Sequence, residues 1–218
     1  MGVGGCATGA RQWIWTGKIM SAQRVVNILF CGVGGQGVLK AAEIAGLVAL
    51  RAGYAVRKSE VHGMSQRGGS VESHVRFGPA VHSPLIPEGA ADFVVCFDAA
   101  EGAKYRHMLK KDGVHFGPFL PLVRQQGIEP RYENTFFLGL LSRYLPLPRD
   151  AWLHALEQAF PRAQAENRRC FLLGAEMDAG RLKAEDRILQ SFAGGSYALF
   201  ACFVVNNLIF ILSSVAVR

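Results

Sequence analysis

Residues 25–38 read VVNILFCGVGGQGV, passing from a short apolar run into a glycine loop. Val25 to Cys31 is rich in β-branched and aromatic residues and ends in glycines, the pattern of a strand buried on both faces of a parallel sheet. Gly32, Gly34 and Gly37 then stand in G-x-G-x-x-G spacing directly before a helical pattern. Such a loop can turn tightly, let a ligand approach the backbone and aim free amides at an anion. The same glycines also serve tight strand-to-helix packing, so the spacing alone is a weak signal.

Downstream, the helix runs from about Gly37 to Arg51, with Lys40, Glu43 and Arg51 within about 80° of one another as its polar stripe. Gly53 ends it, and Tyr54 to Val56 begins a second strand. The polar, glycine-rich stretch from Arg57 to Ser70 reads as a long loop. Val71, Ser73, Val75 and Phe77 alternate with Glu72, His74 and Arg76, as in a strand with one wet face. Phe93 to Asp98 is another buried strand, with Asp98 either a crevice residue or, more commonly for an Asp there, the cap of a helix from Ala99 to about Lys111. Asp112-Gly113 reads as a turn and Val114 to Phe116 as a further strand. Asn134 reads as the cap of a helix carrying Phe136, Phe137, Leu140, Leu141 and Tyr144, and Trp152 to Phe160 as another helix.

This alternation predicts a Rossmann-like α/β fold: one domain with a mostly parallel sheet, flanking helices and a crevice beyond the carboxyl ends of the strands. The expected division of the 218 residues is an irregular N-terminal extension over 1–22, the domain over 23–178, and a linker with an apolar tail of uncertain structure over 179–218. Half the residues are apolar, enough for one domain with a sizeable core. The first 19 residues lack the basic start and continuous apolar core of a secretory signal, and Met20 is a second candidate start. The tail from Ser196 to Val217 has the length of a membrane span, but Asn206-Asn207 at its centre favours an interface helix or an aberrant tail.

Lys and Arg exceed Asp and Glu by 24 − 17, a net charge of +7. The densest basic groups, Lys104, Arg106, His107, Lys110 and Lys111, and Arg168 with Arg169, read as solvated faces, and nucleic acid is not an expected partner. Cysteines 6, 31, 96, 170 and 202 show no C-x-x-C spacing, so no zinc or iron–sulfur site assembles locally. Reduced thiols and a cytoplasmic location fit that usage.

An NAD enzyme would place an acid near the end of its second strand, about 20 residues past the glycine loop. Arg57 and Lys58 stand there instead, and two cations could accept the 2′-phosphate of NADP. A self-contained NADP dehydrogenase and a non-catalytic nucleotide-binding module are therefore alternatives at this point.

Three blocks in order, CGVGGQGVLKAAEIA (31–45), KSEVHGMSQRGGSVESHVRFG (58–78) and VHSPLIPEGAADFVVCFD (81–98), resemble the indolepyruvate ferredoxin oxidoreductase beta subunits. These belong with the gamma-type domains of pyruvate and ketoisovalerate:ferredoxin oxidoreductases. The likeness continues through Asn134, Leu138-Gly139 and Pro148 to Asn167–Gly174. It implies CoA-dependent oxidative decarboxylation of a 2-oxoacid, aryl pyruvates such as indolepyruvate foremost, with electrons passing to ferredoxin. It also implies a large alpha subunit carrying thiamine diphosphate, magnesium and iron–sulfur clusters. This chain has no Gly-Asp-Gly motif for thiamine diphosphate, so it is expected to hold no cofactor alone, to be inactive alone, and to share a CoA site with that partner.

On that resemblance Gly32, Gly34, Gly35, Gln36 and Gly37 form a CoA-phosphate or interface loop. His62, Gly63, Met64, Gln66, Arg67, Gly68 and Gly69 form a substrate-side or interface loop, in which Arg67 could grip a carboxylate or phosphate bidentately. Lys40, at the helix start, departs from the small, hydroxyl or apolar residues usual there. No residue of this chain is assigned a catalytic or metal-binding role.

Overall fold

The computed structural model describes residues 24–62 and 68–177, with His62 known in its backbone only. Five strands, β1 Val26–Val33, β2 Ala55–His62, β3 Ser70–Gly78, β4 Ala91–Cys96 and β5 Leu109–His115, form one sheet in the order β2-β3-β1-β4-β5. β1 runs parallel to β4, and β4 to β5, while β3 is antiparallel to both β1 and β2. Four strands thus share one direction and β3 alone opposes it, a mixed sheet that agrees with the expected α/β class.

The reversed strand corrects one expectation. Arg57 to His62 are not loop but the greater part of β2, which pairs with β3 from Ala55↔Gly78 to His62↔Val71. Lys58, Glu60 and the other polar residues of this stretch are tolerated because β2 is the sheet's edge, with charges on its open side. β3 has no wet face either: Ser73 and His74 are buried. The segment 79–90 covers it, with Ile86 N–H donating to His74 Nδ1 at 3.2 Å and Arg76 reaching the Ser83 and Leu85 carbonyls at 2.9 Å.

Six helices complete the domain: α1 Val38–Arg51, α2 Ala99–Lys104, α3 Leu120–Gln125, α4 Glu133–Ser142, α5 Arg149–Ala159 and α6 Gln164–Glu176. α2 is shorter than expected: Tyr105 ends it, a 3-10 turn spans Arg106–Met108, and Lys110, Lys111 and Asp112-Gly113 belong to β5 rather than to a helix and a turn. Asn134 lies inside the first turn of α4, whose cap position is Tyr132. One sheet face packs on α1 and α4, with α5 against α1 and α6 against α4, in one core that includes Phe30, Phe77, Phe97, Phe116, Phe136, Phe137 and Trp152, all essentially sealed from solvent. Burying each such aromatic contributes roughly 1.5–3 kcal/mol. The other face is thin: Leu29, Cys31, Val94 and Cys96 meet Ile86, Tyr105 and Met108.

α4 and α6 cross with their backbones in contact. A Cβ on Gly139 would strike the Phe171 carbonyl, and one on Gly174 the Phe136 carbonyl, so each helix needs its glycine where it meets the other. Among the described residues no helix is long and apolar enough to cross a membrane. The extension, its possible start at Met20 and the apolar tail lie outside the described residues, as do both expected domain boundaries.

Candidate functional site

Register puts both glycine-bearing loops at one edge of the sheet. Val33 of β1 pairs with Ser70 of β3, and Gly32 with Val71, which in turn pairs with His62. The carboxyl ends of β1 and β2 and the start of β3 are therefore side by side, and Phe97 N–H donates to the Cys31 carbonyl at 3.0 Å to bring the end of β4 alongside. The two loops are joined: Gly34 N–H donates to the Gly69 carbonyl at 2.9 Å. Gly68, at φ 73°, turns the chain into that contact. Gly63, Met64, Gln66 and Arg67 lie outside the described residues, while Gly68 and Gly69 lie at this edge.

Within the first loop the glycines have different tasks. Gly35 is exposed, at φ 104° with open space around it, and Gly37 caps α1 at φ 80°, ψ 23°. A Cβ on Gly32 would lie 2.6 Å from Gln36 Oε1. Gln36 is turned inward: its Oε1 accepts from Val33 N–H at 2.8 Å and its Nε2 donates to the Phe97 carbonyl at 3.2 Å. Its side chain pins the loop's shape to the end of β4 instead of reaching outward. Lys40 pairs with Glu43 at 2.8 Å. Among the described residues α1 has no acidic residue in its first turn and no side-chain cap, as in a helix start that offers its leading amides to an acceptor.

Asp98 takes the capping role, accepting from Ala100 N–H at 2.9 Å and Glu101 N–H at 3.1 Å at the head of α2. α2 in turn holds the second loop: Ser70 Oγ donates to Glu101 Oε2 at 2.6 Å, Lys104 Nζ reaches Ser70 Oγ at 3.0 Å, and Tyr105 is 3.4 Å from the same hydroxyl. Burial raises the Tyr105 phenol above its ordinary value, keeping it neutral.

Beneath the loops, Cys31 and Cys96 are register partners on β1 and β4. The Cys31 thiol donates to Cys96 and is held well above its ordinary value by that bond and by burial. Cys96 is lowered to about 6 by the bond from Cys31, against its burial and with help from His115, whose Nδ1 lies 4.0 Å away. Burial pulls the His115 ring down, but its bond to Cys96 prevails and leaves it raised. Gly102 and Gly117 enclose the Cys96 sulfur, and both thiols are fully buried. Buried thiols are structural rather than reactive. Sequence reasoning missed this group, although Cys96 closes β4 and Cys31 stands two residues before the end of β1. Among the described residues no group of three or more His, Cys, Asp or Glu could hold a metal ion.

Arg57 and Lys58 lie far from this edge. Arg57 pairs with Arg76, which pairs with Asn27, five register positions before Gly32 and at the opposite end of β1. β3 also separates β2 from β1, where a dinucleotide fold has the two as neighbours. The cations that suggested an NADP 2′-phosphate site cannot serve the glycine loop, and Lys58 is paired with Glu60 at 2.5 Å.

Comparison with known proteins agrees with this architecture. Residues 27–118 match the family described as pyruvate ferredoxin/flavodoxin oxidoreductase. Over 96 residues, 44% of the chain, the sequence is 52% identical to the indolepyruvate oxidoreductase subunit IorB of Thermococcus kodakarensis. The chain spans about half the length of that curated relative, 48%. Among solved structures, the gamma subunit of a keto/oxoacid ferredoxin oxidoreductase from Geobacter sulfurreducens superposes with a TM-score of 0.57 at 21% identity, covering 69% of this chain and 96% of that one. A 2-oxoglutarate:ferredoxin oxidoreductase from Magnetococcus marinus, solved with 2-oxoglutarate, coenzyme A and succinyl-CoA, gives 0.59 at 17% identity over 70% of this chain and 31% of that one. These two likenesses show the shared fold. The sheet, the joined loops and the match to the pyruvate ferredoxin/flavodoxin oxidoreductase family thus fall on the same residues, and it is over residues 27–118 that the chain is similar to that family.

Proposed function

We propose that this chain is the small subunit of a CoA-dependent 2-oxoacid:ferredoxin oxidoreductase, with indolepyruvate or another aryl pyruvate as substrate. The observation that carries the reading is the bonded pair of loops, Gly34 to Gly69, within the segment 27–118 that matches the pyruvate ferredoxin/flavodoxin oxidoreductase family. A loop edge with free amides, a buried supporting network and an exposed Gly35 suits contact with a ligand or a partner's active site.

On this reading a large alpha subunit carries thiamine diphosphate, magnesium and iron–sulfur clusters. Thiamine diphosphate supplies the electron sink for decarboxylation. This chain contributes a wall: the glycine loop orients CoA or docks the partner, the 62–69 loop closes the substrate side, and both exclude water. Ferredoxin meets the assembled complex, in the cytoplasm.

Co-expression with the large partner, followed by 2-oxoacid- and CoA-dependent reduction of ferredoxin or viologen, tests the proposal. Turnover should require this chain; equal turnover without it would refute the subunit role. In the complex, Arg67→Ala should lower turnover or partner affinity more than Lys104→Ala, and equal, negligible effects would remove the 62–69 loop from the site.

A further inference from the structure

β2 ends the sheet on one side, and among the described residues no strand pairs with its outer edge. It pairs with β3 without a bulge over all of its 8 residues, so its outward N–H and C=O groups form one regular row. Such a row is a template for another strand. The opposite edge, β5, is interrupted, since the register between β4 and β5 shifts between Ala91 and Phe93. On β2, Val61 is 46% exposed, and Arg57, Lys58 and Glu60 are exposed as well.

Charge decides what pairs there. Side chains alternate along a strand, so Lys58 and Glu60 share one face of β2, where they pair at 2.5 Å, and Arg57 and Val61 share the other. Outward-facing backbone groups recur at every second residue. When two copies of one edge pair antiparallel, their two-fold axis therefore passes through a residue and not between two. An axis at Arg57, Lys58 or Glu60 sets that charge against its own copy, which is unfavourable. An axis at Ser59 sets Lys58 opposite Glu60 of the second copy, and Glu60 opposite its Lys58, closing a ring of alternating charge. It also lays Arg57 across Val61 of the second copy, where the arginine's alkyl stem covers the exposed methyls. The charges that guard this edge in the other registers admit this one.

We propose that two copies of this chain join through β2, antiparallel about Ser59, into one continuous sheet. Val56 to His62 of each copy take part, with roughly six backbone hydrogen bonds across the join. Val56 of the second copy then stands beside His62, where the chain enters the 62–69 loop, so the contact is continuous with the candidate site. It needs no large partner and no turnover, and so stands apart from the oxidoreductase reading.

Sedimentation equilibrium of the full chain, from micromolar to submillimolar, should show a monomer–dimer equilibrium that weakens as salt is raised. Lys58→Glu and Glu60→Lys each set like charges opposite one another and should weaken self-association about tenfold or more. Lys111→Glu, on β5, should leave it unchanged. The exchanged variant Lys58→Glu/Glu60→Lys keeps the composition and the complementarity, and its dissociation constant should return to within about threefold of the original. Mixing the two single variants should give a heterodimer, because the acidic edge of one then meets the basic edge of the other. A monomer throughout the range, association untouched by either single reversal, no recovery in the exchanged variant, no heterodimer on mixing, or an equal loss in Lys111→Glu would overturn the proposal.

Discussion

Replacing Gly37 by alanine separates two contributions that the structure superposes at one residue. The first is backbone: Gly37 sits at φ 80°, ψ 23°, and an L side chain in that region costs roughly 1–2 kcal/mol. The second is contact: the new methyl would stand where Asn134 Nδ2 lies. Asn134 is buried and cannot move without loosening its bonds to Thr135, each worth roughly 0.5–1.5 kcal/mol. The sum is roughly 2–4 kcal/mol, or about 5–15 °C in Tm for a domain of this size. Gly35→Ala is the internal reference, because Gly35 has φ 104° but nothing within 4 Å, leaving only the backbone contribution. Urea denaturation of the full chain should therefore rank Gly37→Ala below Gly35→Ala. The double variant Gly37→Ala/Asn134→Ala should recover the steric part, with a coupling of about 1 kcal/mol or more. Equal costs for the two glycines, together with strict additivity in the double variant, would refute the claim that Asn134 packs on the loop.

Three further outcomes follow from the same geometry. Gln36→Leu removes two part-buried hydrogen bonds that tie the loop to β1 and β4, and should cost roughly 1–3 kcal/mol in denaturation while lowering the turnover of the assembled complex. Gly139→Ala or Gly174→Ala should destabilise by more than about 3 kcal/mol, because backbone rather than a flexible side chain blocks each new methyl; a small Tm change in both would show that α4 and α6 can part cheaply. His74 is lowered from 6.5 by burial, partly opposed by Glu72, so its neutral form belongs to the folded state. The stability it preserves is present above pH 6.5 and lost as pH falls from there through the folded value, and His74→Gln should flatten that acid-side loss in a pH series of denaturation midpoints.

Much of the fold was legible because buried strands leave unmistakable runs: Val25 to Cys31 and Phe93 to Asp98 read as buried strands, and β1 Val26–Val33 and β4 Ala91–Cys96 stand there. The antiparallel β3 and the length of β2 were not legible. A strand edge tolerates Arg, Lys, Ser and Glu, so Arg57 to Ser59 carries the composition of a loop while forming a ladder. The Ala99–Lys111 helix failed for a related reason, since its basic residues suited a solvated helix and nothing local marked the break at Tyr105. His74 looked wet by alternation, yet the distant segment 79–90 covers it.

The site divides in the same way. Sequence by itself determined that a strand ends in a G-x-G-x-x-G loop, that a second glycine-rich stretch follows at the spacing of one family, and that Asp98 suits a helix cap, because backbone freedom and capping are local properties of residue type. Only the tertiary structure decided that Gly34 bonds Gly69, that Gln36 faces inward, that Arg57 and Lys58 lie at the wrong end of the sheet, and that Asn134 completes the loop. Those are contacts across strands and between helices far apart in the chain, set by sheet register and helix packing, which no local pattern encodes.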